Sequence, residues 1–302
     1  MPKPLTLQTA LTLSLGELEQ PIVTPYQIGL MVFNFYLKPQ FQGKKINLRK
    51  SYPDHRDYSR SLKELKDNGI LKQLKGLRNV YSILGKKSSA HEEILCSIDP
   101  FAYVSHLSAM EYHGLTDRIP KLLFVSTPPV KDWRGYAKNR MVKDLGEENI
   151  QNYLINGLPP LNRIKIDKIN KVGVMVYSSL HLGAFKKIRD RIMRVSTIGR
   201  TFLDMLKKPD FCGGINHAID VYVEHANTFL DLIIDEIDQH GSQIDKVRAG
   251  YVLEEKCNIR DKRIDSWLKF VQRGGSRKLD PTEDYSAKYS ERWCLSINIE
   301  KE

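Results

Sequence analysis

One short segment has residue types and a spacing that could hold a divalent metal ion. Glu254-Glu255-Lys256 has the E-x-K spacing of many metal-dependent nucleases, in which carboxylates bind the ion and the lysine steadies the attacking water. The segment continues a predicted helix from Val247, whereas nuclease sites of this type usually place E-x-K on a strand. The pattern therefore favours a charged helix end, and we assign no catalytic residue.

The histidines and cysteines do not have the spacing of a metal site. None of the eight histidines belongs to an H-x-x-x-H or H-E-x-x-H pattern, although His217 and His225 are eight residues apart on one predicted helix. The four cysteines contain no C-x-x-C pair, so we expect reduced thiols rather than disulfides or zinc. The sequence contains neither a P-loop nor a G-x-G-x-x-G pattern. We therefore expect no metal ion and no cofactor.

Basic residues near the N-terminus suit a polyanionic partner. Up to Ala90 the chain has 15 lysines and arginines against 6 aspartates and glutamates, so +9 of the total charge of +11 lies there. A charge that served only solubility would be spread evenly, and nucleic acid is the commonest polyanion. We predict contacts with double-stranded DNA at Arg49, Lys50, Arg56, Ser59, Arg60, Lys63, Lys66, Lys72, Lys75 and Arg78.

A helix over 57–68 is expected to position the central residues of this set. Apolar residues recur at i, i+4 and i+7 from Tyr58 to Leu65, which gives this helix one apolar face, with Asp54 or Asp57 as its cap. Arg60 and Lys63 lie one turn apart on the polar face, where they can reach base edges or phosphates.

A β-hairpin is expected directly after this helix. Apolar and polar residues alternate over 70–74 and again over 80–84, with a glycine-containing turn between the two runs. An earlier helix begins at Thr24-Pro25 and is stopped by Pro39, and a short helix is expected over 48–51. Helices followed by a hairpin, with a basic helix just before it, predict a winged helix-turn-helix whose last helix enters the major groove.

We expect an α+β protein with two domains. The polar stretch over 85–89 predicts a linker, so a winged helix-turn-helix DNA-binding domain would occupy residues 1–88. A larger mixed α/β C-terminal domain would occupy residues 89–302. Residues 131–160 are polar and predict an irregular insertion, to which we assign no role.

Further elements are predicted in the second domain. Arg200 and Asp204, four residues apart on one predicted helix, are expected to form an ordinary surface or half-buried pair. Helices are predicted over 100–112, 197–206, 214–225, 228–239, 242–252 and 264–271, and strands over 122–126, 172–177, 192–195 and 293–299.

The longest apolar stretches are far too short to span a bilayer, and the N-terminus lacks the continuous apolar core of a signal peptide. We therefore expect a cytoplasmic protein that has no contact with a membrane.

Several blocks of the sequence, in order, resemble AbiEi-type antitoxins. Residues 69–71 (GIL) and 80–84 (VYSIL) resemble the wing of that family, and residues 103–116 (YVSHLSAMEYHGLT) resemble its hallmark helix. The other blocks that carry the resemblance are residues 124–127 (FVST), 195–197 (VST), 200–204 (RTFLD), Pro209, Gly213-Gly214 and 248–255 (RAGYVLEE).

The resemblance implies an antitoxin of a bacterial type IV toxin–antitoxin, or abortive-infection, operon. In that family the N-terminal winged helix binds the operon promoter, which gives autorepression. The C-terminal domain counteracts a nucleotidyltransferase-like toxin without a stable complex, and it has no known catalytic residues. Two alternatives stay open: a metal-dependent nuclease targeted by a winged helix, and a transcriptional regulator of another defence locus.

Overall fold

The chain combines α-helices and β-strands, which confirms the predicted α+β class. A computed structural model describes residues 3–86, 90–181, 184–273 and 277–299. The helices in these ranges are α1 (Leu7–Glu17), α2 (Pro25–Leu37), α3 (His55–Asp67), α4 (His91–Ile98), α5 (His106–Tyr112), α6 (Val130–Leu145), α7 (Glu147–Ile155), α8 (Ile198–Lys207), α9 (Ile215–His240), α10 (Gln243–Tyr251) and α11 (Lys262–Asp265). None of the described helices is long and apolar enough to cross a membrane.

The strands form one three-stranded sheet, one six-stranded sheet and two short hairpin-like pairs. They are β1 (Ile22–Val23), β2 (Gln40–Phe41), β3 (Lys44–Lys45), β4 (Leu71–Gln73), β5 (Tyr81–Ile83), β6 (Tyr103–Val104), β7 (Leu122–Thr127), β8 (Lys168–Ile169), β9 (Val172–Ser178), β10 (Phe185–Lys187), β11 (Arg194–Ser196), β12 (Tyr289–Ser290) and β13 (Leu295–Ser296). The three-stranded sheet is antiparallel, in the order β1-β5-β4. The larger sheet has the order β10-β11-β6-β7-β9-β8 and is mixed, because β11 and β6 are parallel.

The chain divides into two compact units. Unit 1 contains Met1–Ala102, Thr127–Val174 and Arg189–Met193, and unit 2 contains Tyr103–Ser126, Met175–Ile188 and Arg194–Glu302. Each unit has its own cluster of buried apolar residues. These units do not follow the predicted domains 1–88 and 89–302, because unit 1 also takes in later segments of the chain. Residues 87–89, on which the predicted boundary falls, lie outside the described residues.

Local capping sets the ends of α2, where the structure confirms the prediction. Gln27 Oε1 accepts a 2.8 Å hydrogen bond from the backbone N of Thr24. Pro25 occupies the first helical position, where its missing N–H has no intrahelical partner to lose. The helix ends at Leu37, two residues before Pro39. Its buried residues are Tyr26, Ile28, Gly29, Val32 and Phe33.

The predicted short helix over 48–51 is wrong. The segment before it forms the hairpin of β2 and β3, whose turn residues Gln42 and Gly43 both have positive φ, +48° and +75°. The backbone then pairs with Leu5, which accepts from Asn47 N at 3.0 Å and donates to Lys45 O at 2.8 Å. These long-range backbone bonds hold residues 45–47 extended, and residues 49–51 then form bends rather than a helical turn.

The prediction of an irregular insertion over residues 131–160 is wrong, because most of this segment forms the helices α6 and α7. Trp133, Ala137, Met141 and Leu145 recur at every fourth position and form the buried stripe of α6. Polar residues between them obscure this stripe in the sequence. Met141 and Leu145 of α6 and Tyr153 of α7 belong to the same apolar core as buried residues of α2 and α3. The helical pair α6–α7 and the N-terminal elements therefore share one core.

In unit 2, the helix predicted over 100–112 begins later than expected. Tyr103 and Val104 form β6, which pairs with β7 on one side and β11 on the other. Both side chains are buried, so pairing within the sheet overrides helix propensity there. Helix α5 begins only at His106, whose φ is +51°.

Helices α8, α9 and α10 supply much of the core of unit 2. Helix α8 begins at the predicted cap, Thr197, whose Oγ1 accepts from the backbone N of Arg200 at 3.2 Å. Helix α9 joins two predicted helices across a kink at Phe229. At Gly250, α10 approaches Trp293 so closely that a Cβ would overlap the indole ring. The closing strand predicted over 293–299 is confined to β13.

Candidate nucleic-acid interface

Helix α3 carries the centre of the predicted interface, and local hydrogen bonds fix its ends. Asp54 Oδ1 accepts from the backbone N of Arg56 at 2.9 Å and of Asp57 at 3.0 Å. Asp57 Oδ2 accepts in return from the backbone N of Asp54 at 3.0 Å, which completes a capping box. Asn68 ends the helix, and Gly69 leaves it with a φ of +71°. The predicted cap and end of this helix are therefore confirmed.

The two faces of α3 differ as the sequence predicts. Tyr58, Ser61 and Leu65 lie on one face of the helix and are buried within unit 1. The opposite face is exposed, and with the N-terminal turn it carries five of the ten predicted contacts. These five are Arg56, Ser59, Arg60, Lys63 and Lys66. At a rise of about 1.5 Å per residue, they extend over roughly 15 Å of helix.

The hairpin of β4 and β5 carries three further predicted residues. Lys72 pairs with Ser82 across the two strands, and Ser82 Oγ donates to Lys72 O at 3.1 Å. Leu77 is buried under the connecting turn. Lys75 and Arg78 lie in the same turn and are exposed. The hairpin thus holds these two cations in solvent immediately after α3 in the chain.

Lys50 differs from the other predicted contacts, because acids already bind it. Its Nζ lies 2.8 Å from Asp54 Oδ2 and 3.0 Å from Asp57 Oδ2. The hydrogen bond from Lys50 lowers the pKa of Asp54 to about 2, so this carboxylate stays ionised at neutral pH. Lys50 therefore neutralises two acids that would otherwise repel a phosphate from the N-terminus of α3.

The other eight predicted cations are available to a ligand. Arg49, which precedes Lys50, is exposed like the rest of the set. None of the eight forms an ion pair with a residue in the described part of the chain. Exposed and unpaired cations can replace the counterions of a nucleic-acid backbone, and the release of those ions favours binding.

Sequence analysis did not select two lysines of unit 1 that share this exposure. Lys44 and Lys45 form β3 and are both exposed. The sequence contains a signal for this hairpin, since Gln42-Gly43 occupies a two-residue turn with positive φ at both positions, the pattern of a type I′ turn.

The E-x-K pattern lies at a helix end, as the sequence predicts, but Glu254 itself is buried in unit 2. Its Oε2 accepts hydrogen bonds from the indole N of Trp293 and from Nε of Arg292, both at 2.7 Å. Its other oxygen pairs with Arg260. A π-helical turn after α10 brings the carboxylate to these partners. Glu254 therefore ties the C-terminal segment to the end of α10.

The neighbours of Glu254 have separate partners. Glu255 is exposed and accepts from Ser290 Oγ at 2.5 Å. The amino group of Lys256 lies 6.0 Å from the ring centroid of Tyr251. Within the described ranges, no three His, Cys, Asp or Glu side chains are grouped in a way that could hold a metal ion.

A second group of polar residues is buried in unit 2, around Arg200 and Asp204. The prediction that these two form a surface or half-buried pair is wrong, because Arg200 is 1% exposed and Asp204 is fully buried. Nε of Arg200 lies 2.8 Å from Asp204 Oδ1, and Nη2 donates to Ser179 Oγ at 3.4 Å. Glu236 Oε1 lies 3.9 Å from Nη1, and burial raises the pKa of Glu236.

His106 lies in the same unit and is fully buried. Its Nδ1 is 2.8 Å from Ser105 Oγ, which in turn accepts from Ser126 Oγ at 2.8 Å. Burial lowers the pKa of His106, so its neutral form is favoured. The resembling blocks over 103–116 and 200–204 thus place several of their polar residues, including His106, Arg200 and Asp204, in the interior of one unit. This arrangement suits a structural role, because a buried ion pair and hydrogen-bonded polar groups fix how the elements pack.

The comparisons with known proteins add a similarity in structure alone. No protein-family model matches the chain, and no curated protein matches it. Among solved structures, the chain is similar to the RV2827C protein from Mycobacterium tuberculosis, with a TM-score of 0.47 and 13% sequence identity. This similarity covers 95% of this chain and 89% of that chain.

Proposed function

We propose that this chain is a DNA-binding antitoxin of the AbiEi type, which represses its own operon through an N-terminal winged helix-turn-helix. The observation that carries the DNA-binding part is the exposed, unpaired basic face of α3, followed directly by the basic β4–β5 hairpin. The antitoxin part is based on the resemblance of the ordered sequence blocks.

The order of elements in unit 1 supports a winged helix. Helix α1, strand β1, helices α2 and α3, and strands β4 and β5 follow one another, and β1, β5 and β4 form one antiparallel sheet. In winged helices, the helix before the hairpin is inserted into the major groove and the hairpin contacts the flanking backbone. The hairpin of β2 and β3 is an addition between α2 and α3.

The charges in unit 1 support nucleic acid as the ligand. Arg60 and Lys63 lie at the middle of the exposed face, where a helix in the major groove reaches base edges. Lys75 and Arg78 lie on the turn of the hairpin, where phosphates are the expected partners. In this proposal α3 therefore contacts the bases and gives sequence selectivity, whereas the hairpin binds the phosphates.

Antitoxicity is assigned to unit 2 by the resemblance. The blocks over 103–116 and 200–204 lie in that unit, where His106, Arg200 and Asp204 are buried. The proposed partner is a nucleotidyltransferase-like toxin, which the chain counteracts in the cytoplasm without forming a stable complex. In this proposal the chain has no catalytic role and needs no cofactor.

A charge-matched pair of variants tests the DNA-binding part. Changing Arg60, Lys63, Lys72 and Lys75 together to alanine removes four exposed cations from unit 1 and should abolish the shift of a promoter fragment. The control changes four exposed lysines of unit 2, so the charge of the chain falls equally. These four are Lys186, Lys187, Lys262 and Lys288. Equal loss of binding in both variants would contradict the proposed interface.

The same two variants test whether repression and protection separate. The unit 1 variant should lose repression of a promoter reporter, yet still rescue cells from the toxin expressed from another promoter. Loss of rescue in a variant that remains folded and abundant would contradict the division of labour. The neighbouring gene provides an independent test, because the proposal requires a nucleotidyltransferase-like toxin beside this one.

A further inference from the structure

The net positive charge of the chain lies entirely in one of the two compact units. Unit 1 contains 26 lysines and arginines against 15 aspartates and glutamates, which accounts for the entire net charge of +11. Unit 2 contains 21 of each and is neutral. The surplus of unit 1 is not confined to α3 and the hairpin, since Thr127–Val174 alone has nine basic and five acidic residues. Within that segment α6 has five basic residues against two acidic ones, whereas α7 has two acidic residues and no basic one, so the surplus of this helical pair lies on α6.

Helix α6 presents three cations in one line. Lys131, Arg134 and Lys138 lie at i, i+3 and i+7, so they share one side of the helix. All three are exposed, and none is ion-paired with a residue in the described ranges. We call these three residues the α6 stripe. At about 1.5 Å per residue the stripe is roughly 10 Å long, comparable with the axial rise of three phosphates on one DNA strand.

The stripe is not explained by the stability of α6. Lys131 lies in the first turn, where a positive charge opposes the helix dipole. By contrast, Arg140 on the same helix is ion-paired, because its Nε lies 2.8 Å from Asp144 Oδ1, four residues later. The two acids of α6, Asp132 and Asp144, lie neither three nor four residues from any member of the α6 stripe, so the helix itself gives these cations no ion-pair partner.

Direct contacts fix α6–α7 to the elements that would read DNA. The ring of Tyr153 on α7 packs edge-on against Tyr26 and Phe33 of α2, with centroids 6.2 and 5.3 Å apart. The backbone N of His55, the first residue of α3, donates to Asn156 O at 3.0 Å. Helices α6 and α7 are therefore held in a fixed position relative to α3, and they would be brought to the DNA together with it.

We propose that the α6 stripe is a second phosphate-binding surface, which contacts duplex DNA outside the segment read by α3 and the hairpin. This inference rests on the proposed DNA-binding function. The stripe lies outside the proposed recognition helix and its hairpin, so we expect it to bind phosphates and to add affinity without selectivity. Its ligand is the phosphodiester backbone of double-stranded DNA.

The test uses the full chain and the salt dependence of binding. Lys131, Arg134 and Lys138 are changed together to alanine, which favours the helix and should leave its fold intact. Binding to a promoter duplex and to a random duplex, each of about 40 base pairs or four helical turns, is measured at 50 and 200 mM salt. A matched control changes Lys186, Lys187 and Lys262 of unit 2 to alanine.

The stripe variant should lose affinity equally for both duplexes, and its binding should depend less on salt. The measured quantity is the ratio of the affinity at 50 mM salt to the affinity at 200 mM salt. Each lost phosphate contact should lower this ratio by about 3.5-fold, and the loss of three contacts should lower it by about 40-fold. The control should keep the wild-type salt dependence. A duplex of about 10 base pairs, one helical turn, should reduce the difference between wild type and variant, because it cannot extend to the stripe.

The outcomes separate this inference from the proposed function. If the stripe variant keeps the wild-type salt dependence while the α3 and hairpin variant loses binding, the stripe is not a phosphate contact and the proposed function stands. If the stripe variant loses preference for the promoter duplex, the stripe reads bases and the inference is wrong. If the wild-type chain does not bind duplex DNA, both are overturned.

Discussion

The phenolic Oη of Tyr26 donates a 2.9 Å hydrogen bond to Asp144 Oδ2, which joins α2 to α6 across 118 residues of chain. Burial raises the pKa of Tyr26, so the phenol keeps the proton that it donates. Arg140 Nε binds the same carboxylate at 2.9 Å. The helical pair α6–α7 is therefore built into the unit that would bind DNA, and a fragment of residues 1–88 would expose the surfaces it covers.

A glycine on α2 gives the sharpest test of this packing. At Gly29 a Cβ would lie 2.5 Å from the hydroxyl of Tyr153 and 3.0 Å from Pro159 Cδ. Tyr153 cannot move away easily, because it is buried and donates to Pro159 O at 2.7 Å. Gly29→Ala should therefore destabilise the chain by about 1–3 kcal/mol in urea unfolding, as overpacking does.

Gly16 on α1 provides the matched control. A Cβ at Gly16 would meet no atom within 4 Å, so Gly16→Ala should gain up to about 1 kcal/mol from helix propensity. Opposite signs for the two substitutions are the expected result. A gain at both positions would show that α7 does not pack against α2 in solution.

The proposed interface predicts a different effect for each of its parts. Arg60→Ala should cost about 1–3 kcal/mol on the specific site and relax selectivity there, because a base contact is lost. Lys75→Ala and Arg78→Ala should weaken binding to operator and random duplexes about equally. Titrations of each variant on both duplexes measure the difference. A uniform loss for Arg60→Ala would assign that residue to the phosphates instead.

The sequence predicts elements well where neighbouring side chains decide the backbone. Thr24-Pro25, Asp54 and Asn68-Gly69 mark the ends of α2 and α3, since capping depends on residues within one turn. The make-up of unit 1 was not predictable in this way, because α6–α7 joins it through packing over more than a hundred residues. Likewise, the i, i+4 spacing of Arg200 and Asp204 predicts that they pair but contains no information about their burial.

The buried pair of Arg200 and Asp204 predicts an asymmetric response to substitution. Asp204→Ala leaves the guanidinium of Arg200 in the interior without its closest partner, which should cost about 3–5 kcal/mol. Replacing both residues by apolar ones, Arg200→Met with Asp204→Leu, should cost less than Asp204→Ala alone. Urea unfolding at neutral pH measures both. A double variant that loses as much as the sum of its single variants would contradict this coupling.

His106 predicts a loss of stability on mild acidification. Its pKa in the folded chain is lowered by burial, so the unfolded chain binds a proton first as the pH falls. The contribution is therefore present above about pH 6.5 and is lost below it, by at most about 1.4 kcal/mol per pH unit. His106→Asn removes the titrating group and suits a residue with positive φ. Unfolding at pH 7.5 and 5.5 should show a smaller pH effect in the variant, and an equal effect would contradict the prediction.

Glu254 and Glu255 are adjacent, yet they should respond differently to loss of charge. Glu254 is buried between Trp293 and Arg292, so Glu254→Gln weakens charge-assisted hydrogen bonds and should cost about 1.5–3 kcal/mol. Glu255→Gln changes an exposed side chain and should stay within about 1 kcal/mol of wild type. Neither variant should alter the fate of plasmid DNA incubated with the protein and Mg²⁺ or Mn²⁺. A metal-dependent cleavage by the wild type that a folded Glu255→Gln variant lacks would favour the nuclease over the antitoxin, because only a catalytic carboxylate would have been removed.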